Sequence, residues 1–192
     1  YAFAGCTSIT GVSLPDTVSE IGDGAFEGAS SLGAFSSGKG LVRIGKNDFG
    51  LCTALKSVTL NDGLSEIGTD AFAETAIESI DLPDSITTLG GCFSGCKELK
   101  TAKLPSQITV IGDGLFSGCG KLSEIVLPAG ITSIGNSAFK GCGSLSAPSI
   151  PDGVVSVGDE AFSQCMDFDE LYFGSSLLSV GREAFSGCVN LK

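Results

Sequence analysis

Apolar positions recur along this chain with a fixed period, and glycine marks the same place in every period. Each unit carries an apolar comb of the form L-x-x-V-x-L, a further apolar residue four positions later, and then an apolar residue followed by glycine. The steps between successive apolar–glycine pairs are 23, 23, 22, 22, 23, 23 and 23 residues. A repeat of this length indicates a solenoid of stacked units. The pairs are Ile21-Gly22, Ile44-Gly45, Ile67-Gly68, Leu89-Gly90, Ile111-Gly112, Ile134-Gly135, Val157-Gly158 and Val180-Gly181.

The comb predicts a short β-strand in every unit. Its second and third apolar residues lie two positions apart, so both side chains point to one face of a strand. Proline follows the comb in several units, as at Pro15 and Pro105, and its missing N–H ends the strand. The combs occupy residues 9–14, 32–37, 55–60, 77–82, 99–104, 122–127, 145–150 and 168–173.

The second half of the unit, A-F-x-x-C, predicts a short helical turn. An aspartate or asparagine just after the glycine would cap that turn, because its side-chain oxygen can accept the first free N–H groups. The candidate caps are Asp23, Asp113, Asn136 and Asp159. The phenylalanines of this segment fit a buried spine of offset or edge-to-face rings better than an exposed binding stripe. They are Phe3, Phe26, Phe49, Phe72, Phe93, Phe116, Phe139, Phe162 and Phe185.

The cysteines form a column in the same register. Seven of the eight lie three residues after a phenylalanine. Neighbouring coils are about 4.8 Å apart, but parallel side chains keep the Cβ atoms too far apart for a disulfide. We therefore predict a ladder of buried thiols, with disulfide bonding as the alternative. Cys92 and Cys96 form the pair most open to bonding, since they lie in a region of irregular spacing.

Together these elements predict one α/β repeat solenoid of about eight coils over residues 1–192. A unit of about 23 residues cannot bury its own apolar edge, whereas stacked units cover one another. A parallel sheet should line one face and short helical turns the other, with the stack curved into a horseshoe. Irregular coils are expected near residues 75–93, where units are one residue short. The chain opens at Tyr1 and stops at Lys192, both inside a unit, so we expect it to be a section of a longer polypeptide.

Composition excludes several functions. The chain has 22 acidic and 11 basic residues and a net charge of -11, which opposes binding to nucleic acid or to anionic membranes. It has no apolar run of the roughly 18–20 residues that a membrane span needs. It contains no histidine, which removes imidazole-based catalysis and imidazole metal sites. We predict no enzymatic activity and no cofactor.

Metal and phosphate sites are weak candidates. Calcium needs six to eight oxygen ligands, whereas the aspartates are scattered singly in turns and caps, so structural roles are favoured over calcium binding. Zinc is disfavoured because no C-x-x-C knuckle occurs. Gly22-Asp23-Gly24 resembles a phosphate loop only in its glycines, since no Lys-Ser or Lys-Thr follows.

The outward positions of the predicted sheet remain as candidate binding residues. Most are small and polar, but Val126 and Tyr172 add apolar surface close to Glu124 and Glu170, and exposed aromatics beside carboxylates suit protein or glycan ligands. A merely solvated face is the alternative. The candidate ligand-binding residues are Lys103, Glu124, Val126, Glu170 and Tyr172. The full outward set also includes Thr10, Gly11, Ser13, Lys56, Ser57, Thr59, Glu78, Ser79, Asp81, Lys100, Thr101, Ser123, Ser146, Ala147, Ser149 and Asp169.

The I-G-x-x-A-F-x-x-C-x-x-L block joined to L-x-x-V-x-L-P resembles the BspA-like class of leucine-rich repeats. The resemblance covers the whole chain, although Ser37-Gly38 and Cys92-Phe93 depart from the pattern. It implies a right-handed leucine-rich-repeat horseshoe from an extracellular or cell-surface protein, of which this chain would be a fragment. It further implies adhesion to a protein or polysaccharide ligand. The alternative is a structural spacer, or a unit that associates end to end in a filament or wall.

Overall fold

The computed structural model describes residues 1–146 and 148–192, which coil into a parallel β-solenoid of the leucine-rich-repeat fold. It makes about seven turns, against the eight coils predicted, because eight successive second strands bound seven full circuits. The first strands of the coils are β1 (Gly11–Ser13), β3 (Ala34–Ser36), β5 (Ser57–Thr59), β7 (Ser79–Asp81), β9 (Thr101–Lys103) and β11 (Glu124–Ile125). The second strands are β2 (Glu20–Ile21), β4 (Arg43–Ile44), β6 (Glu66–Ile67), β8 (Thr88–Leu89), β10 (Val110–Ile111), β12 (Ser133–Ile134), β13 (Ser156–Val157) and β14 (Ser179–Val180).

Each coil therefore has three sides, which we name the comb side, the second-strand side and the turn side. The comb side carries the first strands and the second-strand side carries the apolar–glycine pairs. The turn side carries the A-F-x-x-C segments. All strand pairs are parallel and keep the repeat register, as in the pairing of Val12 with Phe35 and of Phe35 with Val58. The second strands were not predicted from the sequence.

The prediction of short helical turns is wrong for the described part of the chain, where the turn side consists of consecutive β-turns. Left-handed residues recur within each segment, for example Gly24 at φ +67° and Gly28 at φ +70°, and a helix cannot pass through them. The amide of Phe26 bonds to the carbonyl of Asp48 in the next coil, while Ala29 bonds back to Phe26. Alternate amides thus hold neighbouring coils together instead of closing helical rings.

The predicted caps also act between coils. Asp23 Oδ1 accepts the N–H of Lys46 at 2.9 Å, and Asp113 Oδ1 accepts the N–H of Asn136 at 2.7 Å. Asn136 and Asp159 bond in the same way to the coil that follows each of them. Because the amides of their own turns are already paired with the neighbouring coil, these side chains bridge coils and do not cap helices.

Both sheets are interrupted near the short units, in agreement with the irregular coils expected around residues 75–93. The comb-side sheet divides between β5 and β7, and the second-strand sheet divides between β8 and β10. The combs at 145–150 and 168–173 were also predicted to be strands, but their described residues form none. Pro148 has no N–H to donate to the following coil, and the described residues of both combs lie outside the comb-side sheet, which ends at β11.

The predicted phenylalanine spine is confirmed. Successive rings of the column lie with centroids 5.1 to 5.9 Å apart and planes within 20° of parallel. Parallel stacking replaces the expected edge contacts within the column because the fixed coil register gives each ring the same orientation as its neighbour. Phe35 and Phe168 pack against the spine at tilts of 47° and 49°. The core is this spine flanked by the inward Leu and Ile columns.

Candidate binding groove on the comb side

The side chains predicted to face outward from the comb are all exposed among the described residues. Ala147, which belonged to the same prediction, lies outside the described residues. The exposed fraction reaches 84% for Val126 and 76% for Tyr172. The register of the comb is therefore confirmed, and the candidate residues lie on one side of the solenoid.

Three adjoining depressions run along this side from Asp81 to Gly174, and we name them together the comb groove. Their volumes are about 630, 500 and 470 Å³. Glu124 and Val126 line both the first and the second depression, while Ser146 and Pro148 line both the second and the third. The shared walls make the depressions continuous.

The five predicted binding residues all line this groove. Lys103, Glu124 and Val126 surround the first depression, and Glu170 and Tyr172 lie in the third. The structure thus places them along one surface, in two groups separated by the coil of residues 145–150. The groove is large enough for a ligand of drug or oligomer size, since ligand pockets commonly enclose about 300–1,000 Å³.

The groove forms because the comb-side sheet opens toward the C-terminal end of its strands. Pairing of β9 with β11 stops at Ala102 and Ile125, one residue short of the pairing of β7 with β9. In the preceding coil the N–H of Leu82 bonds to the carbonyl of Lys103 at 3.1 Å. The equivalent amide of Leu104 has no acceptor in the described part of the chain, so the two coils diverge here.

Tyr172 and Glu170 form the one side-chain hydrogen bond between predicted binding residues, all of which lie in the described part of the chain. The Tyr172 hydroxyl donates to Glu170 Oε2 at 3.2 Å. This hydrogen bond and the neighbouring negative charge both favour the neutral phenol and raise the pKa of Tyr172. Because both groups are exposed, the ring and the carboxylate are presented together to a ligand.

The cysteine column carries no comparable chemistry. The prediction of buried thiols is confirmed for Cys52, Cys96, Cys119, Cys142 and Cys165, whereas Cys6 is exposed and Cys188 is partly buried. Cys92 and Cys96, proposed as the exceptional pair, are separate thiols. Cys92 occupies the alanine position of the repeat and does not belong to the cysteine column. The Sγ of Cys96 donates a hydrogen bond to the carbonyl of Phe72 and lies 3.2 Å from the Thr75 hydroxyl.

One buried carboxylate was missed by the sequence analysis. Asp48 occupies the alanine position of its unit and is fully buried. Its Oδ1 accepts the N–H of Ala25 at 3.0 Å and its Oδ2 accepts the N–H of Gly45 at 2.6 Å. Burial raises the pKa of Asp48, although these two hydrogen bonds oppose the shift. The sequence does contain a signal for this residue: an aspartate precedes Phe49 at the position where alanine precedes Phe26 in the unit before it.

Several groove residues were also missed, because they lie beyond the comb or at one of its inward positions. Pro128 and Ala129 belong to the turn after β11, and Pro148 replaces an inward apolar residue. Within residues 1–146 and 148–192, no group of three or more Cys, Asp or Glu side chains could hold a metal ion. The same residues contain no helix that is long and apolar enough to cross a membrane.

The family comparison agrees with the repeat geometry just described. The model of the BspA type leucine-rich repeat region, with six copies, matches residues 1–92 and 90–192. The chain belongs to the BspA-type leucine-rich repeat family. Leucine-rich repeat modules of this kind generally mediate protein interactions, and this family and fold are generally non-enzymatic. The comparison with curated proteins gives no significant match.

Solved structures of bacterial leucine-rich repeat proteins are similar to this BspA-type chain. A leucine-rich repeat protein from Bacteroides ovatus is 27% identical with a TM-score of 0.79, covering 100% of this chain and 68% of that one. The T. pallidum leucine-rich repeat protein is 31% identical with a TM-score of 0.65, covering 95% of this chain and 78% of that one. The pneumococcal vaccine antigen PcpA, at 20% identity and a TM-score of 0.56, shares the fold; the match covers 95% of this chain and 61% of that one.

Proposed function

We propose that this chain is a non-catalytic adhesion module, secreted or displayed at the cell surface, which binds a protein or polysaccharide ligand through the comb groove. Membership of the BspA-type family supports an interaction role. The groove supports the comb side as the surface that binds the ligand. Residues 1–192 would act as one array within a longer surface protein.

The observation that carries this proposal is the alignment of all five predicted binding residues along one continuous groove. Val126 and Tyr172 leave large apolar areas in water at two places along that groove, beside the carboxylates of Glu124 and Glu170. Exposed apolar residues within a concave, partly charged surface are typical of interaction sites. Nothing in the packing of the solenoid requires these two side chains to be apolar, because both point away from the core.

A pair of matched substitutions tests the proposal. Val126→Lys introduces a long charged side chain into the groove, whereas Val42→Lys makes the same change at an exposed valine on the second-strand side. Both variants add one positive charge, so a difference between them reports position and not charge. The purified chain and both variants would be applied to immobilised extracellular matrix proteins and cell-wall polysaccharides, with affinity measured by surface plasmon resonance.

The proposal predicts saturable binding to at least one of these ligands. The affinity of the chain for that ligand should fall about tenfold or more with Val126→Lys and stay unchanged with Val42→Lys. A loss of that size corresponds to one buried contact of about 1.4 kcal/mol or more. Equal losses in both variants would show that the effect does not depend on the groove and would contradict the proposal. Concentration-dependent filaments without any ligand would instead support the structural spacer or end-to-end assembly role.

A further inference from the structure

The comb groove carries a local excess of negative charge. Among the described residues that line it, Lys103 is the one cation. Five carboxylates accompany it, and none takes part in an ion pair within the described chain. They are Asp81, Glu124, Asp152, Asp169 and Glu170.

Several acidic side chains outside the groove pair with a base from a neighbouring coil. Lys100 pairs with Glu78 at 2.8 Å and Lys121 pairs with Glu98 at 2.6 Å. Lys140 pairs with Glu160 in the same manner. The coil spacing therefore permits cross-coil pairing, and the groove is the part of the comb side where the sequence does not supply it. A cationic ligand would find its countercharges already in position.

The aromatic end of the groove favours one kind of cation. The ring of Tyr172 is exposed, and its hydroxyl oxygen lies 3.2 Å from Oε2 of Glu170. Asp169 and Asp152 line the same depression. A guanidinium group can stack on a tyrosine ring and at the same time bond to a carboxylate through two N–H groups. An ammonium group satisfies only part of this arrangement, because it is compact and cannot stack in the same way.

The backbone at the floor of the groove favours a polypeptide. The amide of Leu104 has no acceptor in the described part of the chain, and the amides of Leu127 and Ile150 lack one in the same way, because the sheet opens along these coils. An extended peptide presents carbonyl oxygens and alternating side chains to such a surface. Acidic polysaccharides would be repelled by the five carboxylates, and neutral polysaccharides would leave them without a counterion.

We propose that the comb groove binds an extended, arginine-containing segment of a partner protein, with one arginine on Tyr172 and Glu170 and a second basic residue near Glu124. This inference rests on the proposed function and names its ligand class. Coils at about 4.8 Å spacing from Asp81 to Tyr172 cover roughly 20 Å, which is the length of about six extended residues. Val126 and Ala129 would contact the aliphatic side chains between the basic ones.

The experiment compares charge-matched variants in calorimetric titrations at 0.15 M salt. The probe is an acetylated and amidated hexapeptide of alternating valine and arginine, and the comparison peptides replace arginine with lysine or with glutamate. Glu124→Gln/Glu170→Gln removes two negative charges from the groove. Glu20→Gln/Glu27→Gln removes two from the other sides, at residues without an ion-pair partner in the described chain. Because the net charge is -11, this control separates groove binding from general attraction.

We expect the arginine peptide to bind the wild type and the Glu20→Gln/Glu27→Gln variant equally, and the groove variant about tenfold or more weakly. Tyr172→Ala should weaken the arginine peptide more than the lysine peptide, and the glutamate peptide should not bind. Equal losses in both double variants, or no binding of the arginine peptide to the wild type, would overturn the inference. If the wild type then still binds an immobilised ligand that Val126→Lys disrupts, the proposed function stands; if that binding is also absent, both fail.

Discussion

The thiol of Cys142 donates a hydrogen bond to the carbonyl oxygen of Phe116, 3.2 Å away in the preceding coil. Cys119 makes the same bond to Phe93, and Cys165 makes it to Phe139. Each thiol thus fills a small apolar space and also donates a second hydrogen bond to a buried carbonyl that already accepts an amide N–H, and alanine would offer no such donor. The column is a structural device that joins each coil to the one before it.

Thiol labelling should follow burial. Burial raises the pKa of Cys52 to about 11 and that of Cys165 to about 12, so at pH 8 only about one Cys52 thiol in a thousand is the reactive thiolate. We expect a maleimide to modify the exposed Cys6 first and the partly buried Cys188 more slowly. The other six should react only as the chain unfolds. Time-resolved mass spectrometry with peptide mapping measures this order, and rapid labelling of Cys119 in the folded chain would contradict it.

Asp48 should make stability depend on pH in a defined direction. Its pKa is raised in the folded chain, so between the unfolded value of about 3.9 and the folded value the native state binds more protons. The free energy of unfolding therefore decreases as pH rises through that window. Asp48→Ala removes this contribution and restores the residue of neighbouring units, so its stability relative to the wild type should increase from pH 4 to pH 7.

Chemical denaturation of both chains at pH 4, 5.5 and 7 measures the difference. Titrating groups remote from Asp48 are common to both chains and cancel in the comparison. Asp48→Asn serves as the control that keeps the size and removes the charge, and it should show the same trend. A relative stability that stays constant or falls toward pH 7 would show that the carboxylate is not desolvated.

The glycine of the apolar–glycine pair is required where coils approach closely. A Cβ at Gly158 would lie 2.6 Å from the backbone nitrogen of Asn136, which cannot move without separating the coils. We expect Gly158→Ala to cost about 1–3 kcal/mol of unfolding free energy, as overpacking does elsewhere. Gly22 has no atom within 4 Å of its Cβ position, so Gly22→Ala should cost nothing measurable. Denaturant melts of the two variants provide the comparison, and equal costs would contradict the stacking described.

The phenylalanine spine should contribute strongly to stability. Phe116 lies 5.9 Å from Phe93 and 5.6 Å from Phe139, measured between ring centroids, and is fully buried. Phe116→Ala removes both ring contacts and leaves a cavity, so we expect a loss of about 3–5 kcal/mol. Phe116→Leu should lose less because it fills part of the space. Unchanged stability of Phe116→Ala in urea denaturation would place this ring outside the core.

The sequence permitted accurate prediction of whatever depends on the repeat period. The steps of 22 or 23 residues place Phe116 above Phe93 and set Val126 on the outside, and both predictions are confirmed. The turn side was mispredicted because Asp113 looks locally like a helix cap, while its actual partner is the amide of Asn136, 23 residues away. Local patterns do not reveal which amides are taken by a neighbouring coil.

The groove itself was less accessible to prediction than the residues that line it. Lys103 and Tyr172 could be assigned to the outer surface from alternation alone. The opening of the sheet between β9 and β11, however, depends on the divergence of two coils at Leu104, and no single residue signals it. Pro148 was a visible exception in the comb and would have indicated that this comb cannot donate a complete ladder to the next coil.

The coil register underlies every surface assignment, including the groove, and ring-to-ring contacts test it most directly. In a chain with isotopically labelled phenylalanine, nuclear Overhauser effects between aromatic protons report which rings touch. We predict contacts from Phe116 to both Phe93 and Phe139, and from Phe139 to Phe162, each pair being 23 residues apart. Absence of these contacts, or contacts of Phe116 with the rings of distant coils instead, would contradict the account.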